Sequence, residues 1–158
     1  MADEPHHRVW EMMEKFTIAM LITHPEGQVR ARPMGVTVKK DQDAIYFLTN
    51  VDSTKAGDVA ANPEVTVLFA DTSGQKYVSL NGRAEVQNDR PKIRELWTPF
   101  AKAWWDGPDD PEIRVVRVTP QSAEFWDSAG KIAAYAAMLT AAVTGAKPKV
   151  GDNKTVSL

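Results

Sequence analysis

The chain has 158 residues, the size of one domain with one substantial hydrophobic core. Its formal net charge is −2 with both signs spread along the chain, so no long-range field favours nucleic acid or an anionic membrane. The absence of cysteine excludes disulfides, thiolate metal sites and cysteine nucleophiles, and is typical of a reducing cytosol. We therefore expect a cytoplasmic protein that binds neither nucleic acid nor a membrane.

The apolar and polar segments agree with that expectation. Residues 1–7 are acidic and polar, whereas a secretory signal begins basic and then becomes apolar. The longest apolar stretch, residues 132–143, is too short to span a bilayer and is interrupted by Thr140. The three histidines show no metal-ligand spacing with carboxylates, so we expect no metal site.

The first third of the sequence predicts one helix and three strands. Apolar residues recur with helical spacing and place an amphipathic helix at about residues 5–15, which should cover something apolar. Alternating apolar residues separated by turn residues then predict a meander with strands at residues 18–23, 30–39 and 44–49.

The rest of the chain continues with short elements. Asp52 or Ser53 can cap a helix that ends near residue 61, because Asn62 precedes a proline. Asp89 can cap a second helix, and a loop rich in tryptophan and aspartate follows it. Three further strands are predicted at residues 65–70, 77–86 and 113–118, the last extended or continued through 123–126, and a final helix at about 128–145.

This order of elements predicts the fold class. Six mostly antiparallel strands with short helices between them suit a small closed barrel better than a parallel α/β sheet. We expect one domain over residues 1–145 and a flexible tail over residues 146–158, which is rich in lysine and small polar residues.

Two short segments predict a phosphate site. Arg30 and Arg32 alternate along a strand, so their side chains share one face, and Pro33 favours an edge or a bulge there. The strand around Thr49 runs into the sequence Ser53-Thr54-Lys55, which can open a helix. Free backbone N–H groups, hydroxyls and an ammonium at a helix N-terminus suit a phosphate monoester.

The order and spacing of these motifs resemble the FMN-binding split-barrel proteins related to pyridoxamine 5'-phosphate oxidase, and among them the general stress protein 26 group. The resemblance covers about residues 8–145. It is carried by Arg32-Pro33-Met34, Phe47-Leu48-Thr49-Asn50, Ser53-Thr54-Lys55, Asn81-Gly82-Arg83 before Asp89, Leu96-Trp97, Trp104-Trp105-Asp106-Gly107 and Glu124-Phe125-Trp126-Asp127.

The resemblance implies a mainly β fold, a six-stranded antiparallel split β-barrel of the FMN-binding type with peripheral helices. It also implies a homodimer with a flavin at each of two interface sites. The cofactor is expected to be flavin mononucleotide (FMN), with FAD, a deazaflavin or another flavin-like ligand left open. The residues it assigns to cofactor binding are Arg32, Pro33, Met34, Phe47, Leu48, Thr49, Ser53, Thr54, Lys55 and Trp105.

Three functions remain open at this point. The chain is either an FMN-dependent oxidoreductase of unknown substrate, a flavin protein that stores, senses or carries the cofactor, or a pyridoxamine phosphate oxidase. The last is disfavoured, because Thr54 stands where true oxidases of the family carry arginine, and because the chain lacks their terminal arginine-bearing strand. No catalytic acid or base is evident. The clustered tryptophans Trp97, Trp104 and Trp105 are expected in the core or at the dimer interface.

Overall fold

Strands and short helices alternate along the chain in a computed structural model, which describes residues 4–128, 131–145, 147 and 151–158. Within those residues it has eight strands and four α-helices. In chain order they are α1 (Glu4–Met13), β1 (Ile18–Thr23), β2 (Arg30–Gly35), β3 (Thr37–Lys39), β4 (Ala44–Asn50), α2 (Thr54–Ala61), β5 (Glu64–Asp71), β6 (Lys76–Gln87), α3 (Arg90–Leu96), β7 (Ile113–Asp127), α4 (Lys131–Thr144) and β8 (Asp152–Ser157).

One antiparallel sheet contains all the strands. Its order is β2-β1-β5-β6-β7-β4-β3, and β8 pairs with β7 outside this path. The two ends of the order, β2 and β3, are neighbours in sequence and are separated by Val36 alone. The sheet therefore curls until its two edges approach each other, which is the split-barrel arrangement. The predicted mainly β, antiparallel split-barrel fold is confirmed.

The predicted number of strands, six, was wrong. The predicted strand at residues 30–39 is divided at Val36. The Val36 N–H donates to the Thr17 carbonyl oxygen at 3.0 Å, one residue beyond the β1–β2 ladder, and residues 37–39 then pair with β4 instead. The predicted flexible tail, residues 146–158, lies partly outside the described residues, and its part at Asp152–Ser157 forms β8. β8 carries almost no apolar pattern, since Val156 is its one buried residue, so the sequence gives no strand signal there.

A bulge bends the two longest strands. In the β6–β7 ladder Asn81 pairs with Ser122 and Gly82 pairs with Pro120, so Gln121 has no partner across the ladder. A bulge of this kind increases local twist and bending. The bend lets β6 and β7 contribute to the barrel wall over most of their length, with β5 and β4 on their outer sides.

Apolar side chains pack on both sides of the barrel wall. The main core fills the barrel and is closed by α1, whose Trp10 and Met13 are fully buried in the same cluster as Leu21 and Phe69. A second cluster lies outside β4 and under α3, and it includes Tyr46 and Ile93. Because successive residues of β4 alternate between the two clusters, β4 is buried on both faces. The predicted covering role of the first helix is confirmed.

Candidate functional site

The edge of β4 is unpaired along its second half. β4 pairs with β7 along residues 45–50, but with β3 only along residues 44–46. In the described part of the chain, β2 pairs with β1 alone, so its outer edge is also unpaired, and β2 lies next to β4. Backbone N–H and C=O groups of alternate residues between 47 and 50 therefore face the split in the barrel, while those of the residues between them bond to β7. Such an edge is available to a ligand or to another chain.

The end of β4 is joined to the start of α2 by hydroxyl groups. Thr49 is buried, and its hydroxyl donates to the Ser53 Oγ at 2.8 Å. The same Ser53 oxygen caps α2 by accepting the Ala56 N–H at 3.1 Å. The backbone N–H groups of Thr54 and Lys55, in the first turn, have no intrahelical acceptor. The helix therefore presents donors and the positive end of its dipole where β4 ends.

Lys55 and the two arginines differ in what surrounds them. The half-buried Lys55 has no ion-pair partner among the described residues. Arg32 donates from Nη2 to Asp58 Oδ2 at 2.9 Å and from Nη1 to Thr23 Oγ1 at 2.9 Å. Arg30 donates to Asp58 Oδ1 at 3.3 Å. One carboxylate on α2 thus holds both arginines, and the cluster keeps a net positive charge.

Asp58 stays ionised in this cluster despite its burial. Burial by itself raises the pKa of its carboxyl group, but the hydrogen bonds from Thr23 and Arg32 and the charges of Arg30 and Arg32 outweigh that effect. The pKa of Asp58 therefore lies below its ordinary value. An ionised Asp58 fixes the direction of the Arg32 guanidinium.

An apolar groove of about 570 Å³ lies beside the unpaired edge of β4. Its walls include Leu48 of β4 and the aromatic side chains of the segment after α3, and no Asp, Glu, His, Lys or Arg is among the described residues that line it. Trp105 lines the groove and donates from Nε1 to Asn50 Oδ1 at 2.5 Å. This hydrogen bond fastens the tryptophan segment to the end of β4.

The structure places most of the predicted site residues in two adjoining regions, the junction of β4 with α2 and the groove. Met34 is the main exception, because its side chain is buried in the main core, while Pro33 is exposed on the edge strand β2. The Phe47 side chain also points into the core, so only its backbone can serve a ligand at the split. The junction contains Thr49, Ser53, Thr54 and Lys55, Arg32 contacts α2 further along at Asp58, and the groove contains Phe47, Leu48 and Trp105.

Sequence reasoning missed three residues of the site, Asp58, Thr23 and Asn50. Asp58 follows Lys55 by three positions on α2, and this helical spacing is the signal that could have placed a carboxylate near the same cations. Thr23 and Asn50 stand at strand ends and give no comparable signal. Among the residues that the structure describes, no His, Asp and Glu side chains form a group that could hold a metal ion. The same residues contain no helix long and apolar enough to cross a bilayer.

Comparison with known proteins identifies the family. The family described as "Pyridoxamine 5'-phosphate oxidase like" matches residues 4–149. The chain belongs to the pyridoxamine 5'-phosphate oxidase-like family. General stress protein 26 of Bacillus subtilis is 25% identical over 127 residues, which cover 78% of this chain and 89% of that protein. A pyridoxine/pyridoxamine 5'-phosphate oxidase of Sphingopyxis alaskensis is 28% identical over 152 residues, covering 75% of this chain and 69% of that protein.

Solved structures of the family have the same fold. A crystal structure assigned as a general stress protein 26 from Jannaschia sp. CCS1 is 32% identical, covers 100% of both chains and has a TM-score of 0.82. A general stress FMN/FAD binding protein from Xanthomonas citri is 23% identical and covers 76% of this chain and 86% of its own, with a TM-score of 0.66. At 23% identity, the similarity to the Xanthomonas citri protein shows a shared fold only.

Proposed function

We propose that this pyridoxamine 5'-phosphate oxidase-like protein binds FMN in the split of its barrel. The observation that carries the proposal is the unpaired edge of β4, which leads directly into the capped N-terminus of α2 beside an apolar groove. The similar protein from Xanthomonas citri is named for FMN/FAD binding, which adds support.

The junction of β4 with α2 suits the phosphate of FMN. The first-turn N–H groups of α2 and the Lys55 ammonium are donors for a dianion, and the helix dipole favours negative charge at the same point. Arg30 and Arg32 add a net positive field, since they carry two charges against the one carboxylate of Asp58. Arg32 is a rigid donor, because Asp58 and Thr23 hold two of its nitrogens.

The groove and the β4 edge suit the isoalloxazine ring. A flat ring with one polar edge needs apolar faces above and below and hydrogen-bonding groups along that edge. Leu48 and Trp105 supply apolar surface, and the backbone groups of β4 that do not bond to β7 supply donors and acceptors along its outer edge. The set of donors and the shape of the groove therefore fit a flavin.

A flavin supplies hydride and electron transfer when bound, and the protein supplies position and electrostatics. Tyr46 is the one titratable side chain among the described residues that line the groove, and its hydroxyl already donates to Gln42 Oε1 at 2.7 Å. The site therefore suits hydride exchange with a reduced nicotinamide, which needs no side chain to move a proton. We propose a flavin-dependent oxidoreductase of this kind.

Because the hydroxyl of Tyr46, the one titratable side chain among those lining residues, is already engaged by Gln42, the site also favours a second candidate, a flavin carrier or sensor without turnover. Of the three candidate functions, oxidation of pyridoxamine phosphate is the one that this site suits least. Thr54 takes the place where the oxidases carry arginine, so a second phosphate would have a weaker clamp beside the first.

We further propose that the functional unit is a homodimer. Phe100 and Trp104 are 85% and 78% exposed, and both line the groove. Exposed aromatic surface of this kind is typical of an interface.

The visible spectrum of the purified protein, with mass identification of the released cofactor, tests the proposal. We expect flavin absorption bands, or their appearance when FMN is added to the cofactor-free protein, and weaker binding of riboflavin because it lacks the phosphate. Equal affinity for the two compounds would mean that the phosphate site is wrongly assigned. Failure to bind either compound would refute the function. Bleaching of the bound flavin by a reduced nicotinamide under anaerobic conditions separates the oxidoreductase from the carrier.

A further inference from the structure

A buried hydroxyl and a buried carboxylate hold the outer end of the Arg32 guanidinium. The Thr23 hydroxyl donates to Asp58 Oδ2 at 2.7 Å, and both residues are buried. The same two oxygens accept from the terminal nitrogens of Arg32, Thr23 Oγ1 from Nη1 and Asp58 Oδ2 from Nη2, each at 2.9 Å. Two adjacent acceptors in front of Nη1 and Nη2 fix the rotation of the guanidinium in its own plane.

This arrangement leaves one edge of the guanidinium free. An arginine has five N–H donors in one plane. The second N–H of Nη1 is directed at the Leu21 carbonyl oxygen at 3.5 Å. The Nε–H and the second N–H of Nη2 lie parallel on the remaining edge, and the described residues provide no acceptor for them. Such a pair of donors matches two oxygens of one phosphate or carboxylate group.

The free edge of Arg32 can be reached from solvent. Its side chain is 18% exposed. In the described part of the chain, the polar side-chain atoms that are buried without a partner are Trp10 Nε1 and Arg117 Nε, so Arg32 Nε is not one of them. An anion can therefore approach the free edge without displacing Thr23 or Asp58.

The free edge lies beside the first turn of α2. Asp58 follows Lys55 by three positions, so both side chains are on one side of the helix. A helical side chain leans toward the N-terminus and covers the preceding turn, which places the Asp58 carboxylate and the Arg32 held by it over the turn that begins α2. Arg30, in contrast, has one hydrogen bond to Asp58, at 3.3 Å, and its side chain is 45% exposed.

We infer that Thr23 and Asp58 are positioning residues, which present the free edge of Arg32 to the phosphate of the ligand and so set the preference of the site for a phosphorylated flavin. The inference rests on the proposed function, since it takes the FMN site as given. An arginine held before the ligand arrives loses less side-chain entropy on binding than a rotating one. Thr23 is essential to this, because its hydroxyl donates to Asp58 and accepts from Arg32.

Thr23→Val tests the inference, because it removes the hydroxyl and keeps the shape of the side chain. We expect the ratio of FMN affinity to riboflavin affinity to fall about three- to tenfold, since one of the two hydrogen bonds that orient Arg32 is lost. Thr23→Ser, which keeps the hydroxyl, should restore the ratio. Thr66→Val is the matched control. It removes a hydroxyl that donates to Asn81 Oδ1 at 2.9 Å on the outer face of the neighbouring strand β5, and should leave the ratio unchanged.

The same titrations in an Arg32→Lys background show whether Thr23 acts through Arg32. Lysine keeps the charge but lacks the parallel donors. Thr23→Val should then change the ratio by less than about twofold. A loss as large as in the wild-type background would overturn the inference. Equal weakening of FMN and riboflavin by Thr23→Val would also overturn it, because that result indicates a structural role alone.

Nuclear magnetic resonance of the Arg32 Nε–H, assigned by its loss in Arg32→Lys, gives a second measurement. FMN and inorganic phosphate should each shift this signal, riboflavin should not, and Thr23→Val should reduce the shift caused by phosphate. A shift with phosphate in a protein that binds no flavin would refute the flavin function and support the positioning of Arg32. A protein that prefers FMN to riboflavin but shows no shift of this signal would refute the inference and leave the flavin function standing.

Discussion

Lys55, in the first turn of α2, and Arg32, which contacts the same helix at Asp58, differ in how freely each can serve a ligand. Asp58 and Thr23 hold the Arg32 guanidinium, whereas Lys55 has no ion-pair partner among the described residues. Replacing Arg32 would leave the buried Asp58 carboxylate with less compensation, which would destabilise the fold as well as the site. Lys55 is therefore the better residue on which to test the phosphate assignment.

We predict that Lys55→Ala weakens FMN binding roughly ten- to hundredfold and leaves riboflavin binding nearly unchanged. The loss of one charge-assisted contact of about 1.5–3 kcal/mol gives this range. Fluorescence titration of the cofactor-free protein with each compound measures it. Lys154→Ala, which removes the same charge from the exposed strand β8, is the control and should bind both compounds like the wild type. An equal loss for FMN and riboflavin would point to damage to the fold.

Sequence reasoning located the cations of the site but not the carboxylate that organises them. The alternation of Arg30 and Arg32 and the helix-opening residues before Lys55 are local patterns, and both were visible in the sequence. The pairing of Arg32 with Asp58 depends on the close approach of β2 and α2, which no local pattern encodes. Contacts of this kind, between residues far apart in the sequence, are visible only in the folded structure.

At the scale of the elements, the bulge at Gln121 of β7 lies opposite Gly82 of β6, a glycine without room for a side chain. A Cβ on Gly82 would lie 2.6 Å from the Thr119 carbonyl oxygen and 2.9 Å from Val118 Cγ1. We predict that Gly82→Ala lowers the free energy of unfolding by about 1–3 kcal/mol, because the backbone must shift to relieve the contact. Gly57→Ala is the matched control in chemical denaturation. A Cβ on Gly57, inside α2, meets nothing within 4 Å, so this change should stabilise the protein by about 0.5–1 kcal/mol. If both substitutions changed the free energy of unfolding in the same direction, the argument would be wrong.

An ion-pair cluster joins α1, β6 and β7 and predicts how stability depends on pH. The hydrogen bond from Arg8, together with Lys76, outweighs burial and lowers the pKa of Asp127 from 3.8 to about 2. Because the folded-state pKa is the lower one, the stabilisation is present above about pH 4 and is lost as the pH falls through about 2. We predict that Asp127→Asn costs about 2 kcal/mol at pH 7 and that the difference from wild type shrinks below pH 4.

Denaturation at a series of pH values measures this difference. Asp41→Asn, at an exposed carboxylate without an ion pair among the described residues, is the control and should follow the wild-type curve. If the curves for Asp127→Asn and wild type run parallel from pH 7 to pH 2, the cluster contributes no pH-dependent stability.

The elements predicted best from the sequence are those in which apolar residues recur with the spacing of a helix or a strand. The apolar residues of β4 form a continuous run and those of β5 alternate with polar ones, and both strands were placed correctly. α1 was recognised from its apolar stripe. β8 was missed because it is held to β7 mainly by backbone pairing and buries one side chain, Val156. The break at Val36 was missed because residues 30–35 pair with β1 and residues 37–39 pair with β4, and a strand pattern does not record which strand is the partner.

At the scale of the whole molecule, the described chain leaves two kinds of surface uncovered. One is the polar edge of β4 at residues 47–50, and the other is the apolar groove with Trp105 at its border. They adjoin each other, so a flavin on the edge with its ring against the groove would lie next to any partner that covers the exposed Phe100 and Trp104. Cofactor binding and assembly are then two equilibria that share one region of the protein.

We therefore predict that FMN binding and dimerisation are linked. A cofactor that touches both subunits binds the dimer better than the monomer, so it stabilises the dimer by mass action. Sedimentation over a dilution series should give a lower dimer dissociation constant for the FMN-loaded protein than for the cofactor-free protein. The Lys55→Ala variant should show a smaller shift at the same FMN concentration, because less of it is loaded. Identical dissociation constants with and without FMN, at concentrations where titration shows the site to be filled, would mean that each flavin is held within one subunit.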